Sequence, residues 1–163
     1  MALYGASVYQ ERNNESNIRY DFLGKDSEVF AVGDVVTVAS GVAKVAGATD
    51  VVAGVAVKAA TMGNPNDTVY PGYKPAEDTT FLMGTNADLT DNETDGGTFY
   101  KLTGTTGAML VDVTSGVQTT TSRIVEIVKV DPRGLGGSGA GSGLRECLVR
   151  FVKTLYNNVG GPA

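Results

Sequence analysis

The chain has no histidine and no tryptophan in its 163 residues, and it has a single cysteine. Without histidine the commonest general base is missing, and Ser-His-Asp and Cys-His nucleophile systems are excluded. Zinc sites assembled from several Cys and His ligands are excluded with them. Cys147 has no partner for an intramolecular disulfide. Its setting, Leu144-Arg145-Glu146-Cys147-Leu148-Val149, reads as a strand in which it serves as a small buried hydrophobe. Charged residues are sparse at 19%, and the net charge is −5. No run of Lys and Arg offers the basic stripe that phosphate backbones require, so no nucleic-acid partner is expected. The negative charge also disfavours anionic membrane surfaces. No apolar stretch approaches the roughly 20 residues of a membrane helix, so no membrane partner is expected. The opening Met1-Ala2-Leu3-Tyr4-Gly5 lacks a basic leader and an apolar core, and synthesis in a host cytoplasm is expected.

What is present is 42% hydrophobic residue and 22 glycines. That balance fits an all-β chain with many turns better than a helical bundle. Val35-Val36-Thr37-Val38, Val42–Ala46 and Val51–Ala59 read as three strands separated by Ser40-Gly41 and Gly47–Asp50. Residues 61–80 are dense in Pro, Gly and Asn and read as a loop. A second block follows, with strands at Thr79–Met83, Thr98–Leu102, Ala108–Val113, Arg123–Val130 and Leu144–Leu155. Strand, Gly turn, strand, polar gap, strand thus occurs twice, at 35–59 and 98–130. Residue identity between the two is low, and the pattern reads as ordinary meanders. The expected architecture is a small β-barrel or β-sandwich built from meanders. An extended N-terminal arm is expected at 1–28, a β domain at 29–156 and a flexible tail at 157–163. The β domain divides into modules at 29–60 and 79–156 joined by a loop at 61–78.

Candidate chemistry is thin. Asp91, Glu93, Asp95 and Gly96 place oxygen ligands on alternate residues before a glycine, a weak calcium pattern. Its twelfth position is Leu102, so the bidentate carboxylate is missing, and a solvated turn is the plainer reading. Gly134-Leu135-Gly136-Gly137-Ser138-Gly139 matches G-x-G-x-x-G, but a strand follows where a dinucleotide site needs a helix. Asn14, Asn66 and Asn92 head glycosylation sequons without a secretion signal. Carboxylate-only catalysis finds no convergent set. No enzyme activity and no cofactor are expected. The arm is more distinctive. Tyr4, Tyr9, Tyr20 and Phe22 recur among polar residues that include Arg12 and Arg19, as in a segment that lies on another surface.

The run Ala31–Val57, with its Gly33-Asp34-Val35-Val36 opening and Gly54-Val55-Ala56 close, resembles the capsid decoration (cement) proteins of tailed bacteriophages. The resemblance covers roughly a fifth of the chain. It implies a structural virion protein on the outer surface of the mature phage head, bridging capsomers through the major capsid protein. It also implies a homotrimer at three-fold or quasi-three-fold positions. The arm residues Tyr4, Tyr9, Arg12, Arg19, Tyr20 and Phe22 are then the expected capsid-binding set. The alternative is a phage head- or tail-surface module that recognises host glycans. Its rim would be the loops at 61–75 and 133–143, with Tyr70 and Tyr73 as platforms.

Overall fold

In a computed structural model of the chain, the structure is described for residues 5–11, 18–77, 79–87, 89, 98–130 and 146–155. These residues are nearly all β, with one 3-10 turn at Thr120–Ser122 and no α-helix. In chain order the strands are β1 (Ala6–Glu11), β2 (Leu23–Gly24), β3 (Val29–Phe30), β4 (Val35–Ala39), β5 (Val42–Val45), β6 (Gly54–Ala56) and β7 (Ala60–Thr61). They continue with β8 (Tyr73–Pro75), β9 (Thr79–Gly84), β10 (Thr98–Thr103), β11 (Leu110–Asp112), β12 (Val125–Val130) and β13 (Glu146–Phe151). A five-stranded sheet has the order β2-β5-β4-β6-β8, and a six-stranded sheet the order β1-β9-β13-β12-β10-β11. A short β3-β7 pair makes a third. The large sheets are curled into half-barrels, as expected of a β-barrel or sandwich.

Local sequence accounts for the first hairpin. Ser40 and Gly41 both have positive φ, 51° and 79°, between the paired residues Ala39 and Val42. Two positive φ values give a two-residue turn whose twist matches that of the strands. The third strand then returns beside the first: β6 pairs with β4, and β12 pairs with β10. Each block is therefore a hairpin plus a strand that crosses to its far side, not a run of sequential neighbours. The orders β5-β4-β6-β8 and β11-β10-β12-β13 are the same arrangement in both sheets.

Burial follows from this layering. In β4, Val35 belongs to the core shared with the six-stranded sheet, while Val36 belongs to a second core on the opposite face. A strand covered on both faces reads as an unbroken apolar run, which is why 35–38 shows no alternation. The shared core packs Val35, Val52 and Val55 against Phe81, Met83, Leu102, Val111 and Ile127. Phe81 and Phe151 meet at 5.4 Å between ring centroids, tilted by 60°. Each large side chain so buried contributes about 1.5–3 kcal/mol. The second core gathers Phe30, Val36, Met62 and Tyr73. The loop expected at 61–78 contains strand β8, which holds the sheet edge where Pro75 is tolerated.

Asp112 closes β11 and is 7% exposed. Burial pushes its carboxyl up. Hydrogen bonds from Ser115 (Oγ 2.6 Å, N 3.2 Å), Asn86 Nδ2 (2.9 Å) and Thr114 Oγ1 (2.9 Å) outweigh that, lowering the pKa from 3.8 to about 2. The folded value lies below the unfolded one. The stabilisation is therefore complete above about pH 4 and is lost as pH falls towards 2. At 1.36 kcal/mol per unit it amounts to about 2 kcal/mol. Urea melts of wild type and Asp112→Asn should converge over that window. A gap between them that is independent of pH would show that Asp112 plays no such part.

Candidate interaction surface

The opening segment enters the sheets in two places. First, β1 is the terminal strand of the six-stranded sheet and pairs antiparallel with β9, Ala6 opposite Met83 and Glu11 opposite Thr79. The register slips between Val8 and Gln10, leaving Tyr9 as the extra residue of a bulge. Bulges on outer strands twist the edge and discourage indiscriminate pairing. Second, Arg19 and Tyr73 exchange backbone hydrogen bonds of 2.9 and 3.0 Å, which lays residues 18–20 along the outer side of β8. Where it is described, the stretch expected as an extended arm is thus part of the chain's own sheets.

This pairing separates the candidate residues by face. Arg19 and Tyr73 lie directly opposite and share one face, while Ile18, Tyr20 and Gly72 share the other. Tyr73 is fully buried, and its hydroxyl donates to Asp21 Oδ2 at 3.2 Å. The Arg19 Nε pairs with Asp21 at 2.8 Å. Phe22 packs on the second core. The Tyr20 ring lies over Gly72, where a Cβ would come within 2.9 Å of it. Lys58 Nζ donates to the Tyr20 hydroxyl at 3.2 Å and sits 5.8 Å from the ring centroid, within cation–π range. Tyr20 nevertheless stays 46% exposed, and Ile18 is exposed beside it.

Val69 and Tyr70, three and two residues before Gly72, are exposed as well, Tyr70 by 49%. Asn66 holds their loop in place. Its side chain donates to the carbonyls of Gly24 (2.7 Å) and Val69 (3.0 Å) and accepts from Val69 N (3.1 Å), while its own backbone N donates to Asp26 Oδ1 (2.8 Å). Asn66 is buried and its amide fully engaged, so this sequon offers no acceptor for a glycan. Asn66 went unnoticed as an organiser in the sequence, although asparagine binding its own backbone three residues on is the chemistry of turns.

Of the remaining candidates, Tyr4, Arg12, Asp91, Glu93, Asp95 and the Gly134–Gly139 motif lie outside the described residues. Among the described residues no group of three or more His, Cys, Asp and Glu could hold a metal ion. A polar cavity of about 450 Å³ is lined chiefly by Glu77, Thr79, Thr80, Arg150, Phe151 and Thr154. Its charges have partners within the chain: Arg150 pairs with Glu126, and Glu77 accepts from the Thr154 hydroxyl at 3.2 Å. Neither is paired as nucleophile and base. Ile18 and Tyr20, beside Gly72, and Val69 and Tyr70 in the loop before it are exposed residues with the composition of an interface, with Lys58 beside Tyr20. No protein-family model, no curated protein and no solved structure matches this chain.

Proposed function

We propose that this chain is a structural protein of a tailed-phage head, a decoration or cement protein that binds the outer surface of the mature capsid. It would bridge neighbouring capsomers through the major capsid protein, as a homotrimer at three-fold or quasi-three-fold positions. One observation carries the reading: Ile18 and Tyr20 are exposed along the outer side of β8, and Val69 and Tyr70 are exposed in the loop that leads into it. Exposed apolar groups rimmed by polar ones suit a protein-binding site, and tyrosine is prominent among the residues that dominate interface energy. The sequence adds a chain without histidine and without a convergent catalytic set. A weak clasp repeated over a whole shell stabilises through multivalency, which suits a small binding face.

Truncating residues 1–22 is a poor test, because it removes β1 along with Ile18 and Tyr20. The double variant Tyr20→Ser/Tyr70→Ser, mixed with undecorated capsids, leaves the sheets in place. Central tyrosines contribute about 2 kcal/mol each, so apparent affinity should fall about thirtyfold per residue. The exposed Val117→Ser should bind as wild type does. Undiminished occupancy by the double variant would remove the reading. Binding on a glycan array through Tyr70 would favour host recognition instead, although buried Tyr73 leaves that alternative only one of its two platforms.

A further inference from the structure

The polar cavity lies where β9 begins and β13 ends, and its walls are tied to residues 52 and 53. Ala76 N donates to the Ala53 carbonyl at 3.1 Å, which fixes the approach to Glu77. Val52 N donates to the Lys153 carbonyl at 2.8 Å, and Leu155 N donates to the Val52 carbonyl at 2.9 Å, which fixes Thr154 between them. Walls held in this way lose little freedom when a ligand binds.

The lining side chains have used only part of their hydrogen-bonding capacity. The Thr154 hydroxyl donates to Glu77 Oε1 and the Thr79 hydroxyl to the Glu77 carbonyl, both at 3.2 Å. With its one proton committed, each hydroxyl has only lone pairs to offer. Glu77 is in no ion pair among the described residues, and its second oxygen, Oε2, accepts from none of them. Arg150 is engaged among them only through Nε, which pairs with Glu126, so its Nη groups still have protons to give.

This set selects against simple ions. An anion on the Arg150 Nη groups would lie near the Glu126 carboxylate, which shares that guanidinium, and would meet Glu77 in the same cavity. A cation at Glu77 would share the cavity with the guanidinium. An uncharged hydroxyl suits both ends, because it accepts from an N–H and donates to a carboxylate or a threonine oxygen. Ala76 and Phe151 add apolar lining for carbon-bound hydrogens. A volume of about 450 Å³ leaves room for a small saccharide, within the range of roughly 300–1,000 Å³ usual for small-molecule sites.

We propose that this cavity binds a neutral saccharide, whose hydroxyls donate to Glu77, Thr79 and Thr154 and accept from Arg150. The site shares no residue with Ile18, Tyr20, Val69 and Tyr70, and it stands whether or not the chain binds a capsid. The test follows backbone amides by NMR while the protein is titrated separately with glucose, galactose, mannose, N-acetylglucosamine and lactose. Glycine and sodium phosphate serve as the zwitterion and the anion. The Thr79, Thr80, Phe151 and Thr154 amides should shift and saturate with at least one sugar. Glu77→Gln keeps the oxygen that Thr154 uses and should weaken that binding about tenfold, as should Arg150→Gln. Tyr70→Ser should bind as wild type does. Should Arg150→Gln fail to fold because Glu126 has lost its partner, Glu77→Gln carries the comparison. No saturable shift with any sugar, saturation by glycine or phosphate alone, or equal sugar binding by wild type and Glu77→Gln would overturn the proposal.

Discussion

Gly54→Ala is expected to cost about 3 kcal/mol or more of folding stability, enough to move the urea midpoint far below that of wild type. Gly54 begins β6, between β4 and β8, with Val36 and Pro75 as its cross-strand neighbours. A Cβ at this position would lie 2.0 Å from the Lys74 carbonyl oxygen and 2.6 Å from Tyr73 Cδ2. The first obstacle is backbone of the paired strand, and the second is the ring that fills the second core. Neither can step aside without opening the β6–β8 pairing. Gly63→Ala is the matched control, because its nearest obstacle is a carbonyl at 3.3 Å in an exposed loop. That change should cost about 1 kcal/mol or less. Since residues 18–20 hang on β8, Gly54→Ala should also disorder the Tyr20 face. A wild-type midpoint for Gly54→Ala would mean that β6 and β8 are not packed as described.

The strands that alternate were readable in advance. The runs at 79–83 and 98–102 appear as β9 and β10 within a residue or two, because one face of each is more deeply buried than the other. The run at 123–130 appears as β12, although a bulge between Ile127 and Lys129 breaks its alternation. The β4–β5 hairpin was equally plain from Ser40-Gly41. The strand expected over Val51–Ala59 with a break at Gly54 is divided, with Gly54 opening its middle piece. Val52 bridges to Thr154, β6 takes residues 54–56, and Ala60 begins β7. Composition is the same throughout that stretch. Only the partners differ, and partners come from distant sequence. The short strands β2, β3, β7 and β8 fail for a related reason. Two or three residues carry no period, and they are strands because a neighbour completes their hydrogen bonds.

The candidate site was legible in composition but not in geometry. Tyr20 was singled out and is exposed, whereas Phe22, two residues on, is drawn into the second core, and Arg19 is paired with Asp21. Tyr70 and Tyr73 look equivalent in sequence. The bridge between Arg19 and Tyr73 turns Tyr73 inwards and leaves Tyr70 out.

Asp34→Ala should be nearly as damaging as the change at Gly54, and it addresses the Gly33-Asp34 pair that opens the phage-like segment. Asp34 is wholly buried. One carboxylate oxygen accepts from Ala31 N at 2.8 Å, and the other accepts from Gly107 N at 2.8 Å, 73 residues away in the β10–β11 turn. Its backbone carbonyl accepts from Ala56 N at 2.8 Å. Next to it, Gly33 and Gly5 sit back to back with φ of 91° and 77°, and a Cβ on either would come within about 3.1 Å of the other's Cα. Gly33 then accepts from Ala6 N, and Gly5 donates to the Met109 carbonyl. One Gly-Asp pair thus joins the start of β1, the end of β6 and the turn of the six-stranded sheet. Alanine leaves two N–H groups without their acceptor, at about 1–3 kcal/mol each, so a loss of about 3 kcal/mol is expected. Asn keeps one acceptor oxygen but turns an amide N–H₂ towards the other donor, and it should lie between wild type and alanine. Hydrogen exchange separates this from a general loss of stability. The Gly107 amide should lose protection in Asp34→Ala by more than the global change accounts for, while amides in β12 and β13 follow the global value. If Gly107 stayed as protected as in wild type, the Asp34 carboxylate would not be one of the links that join the two sheets.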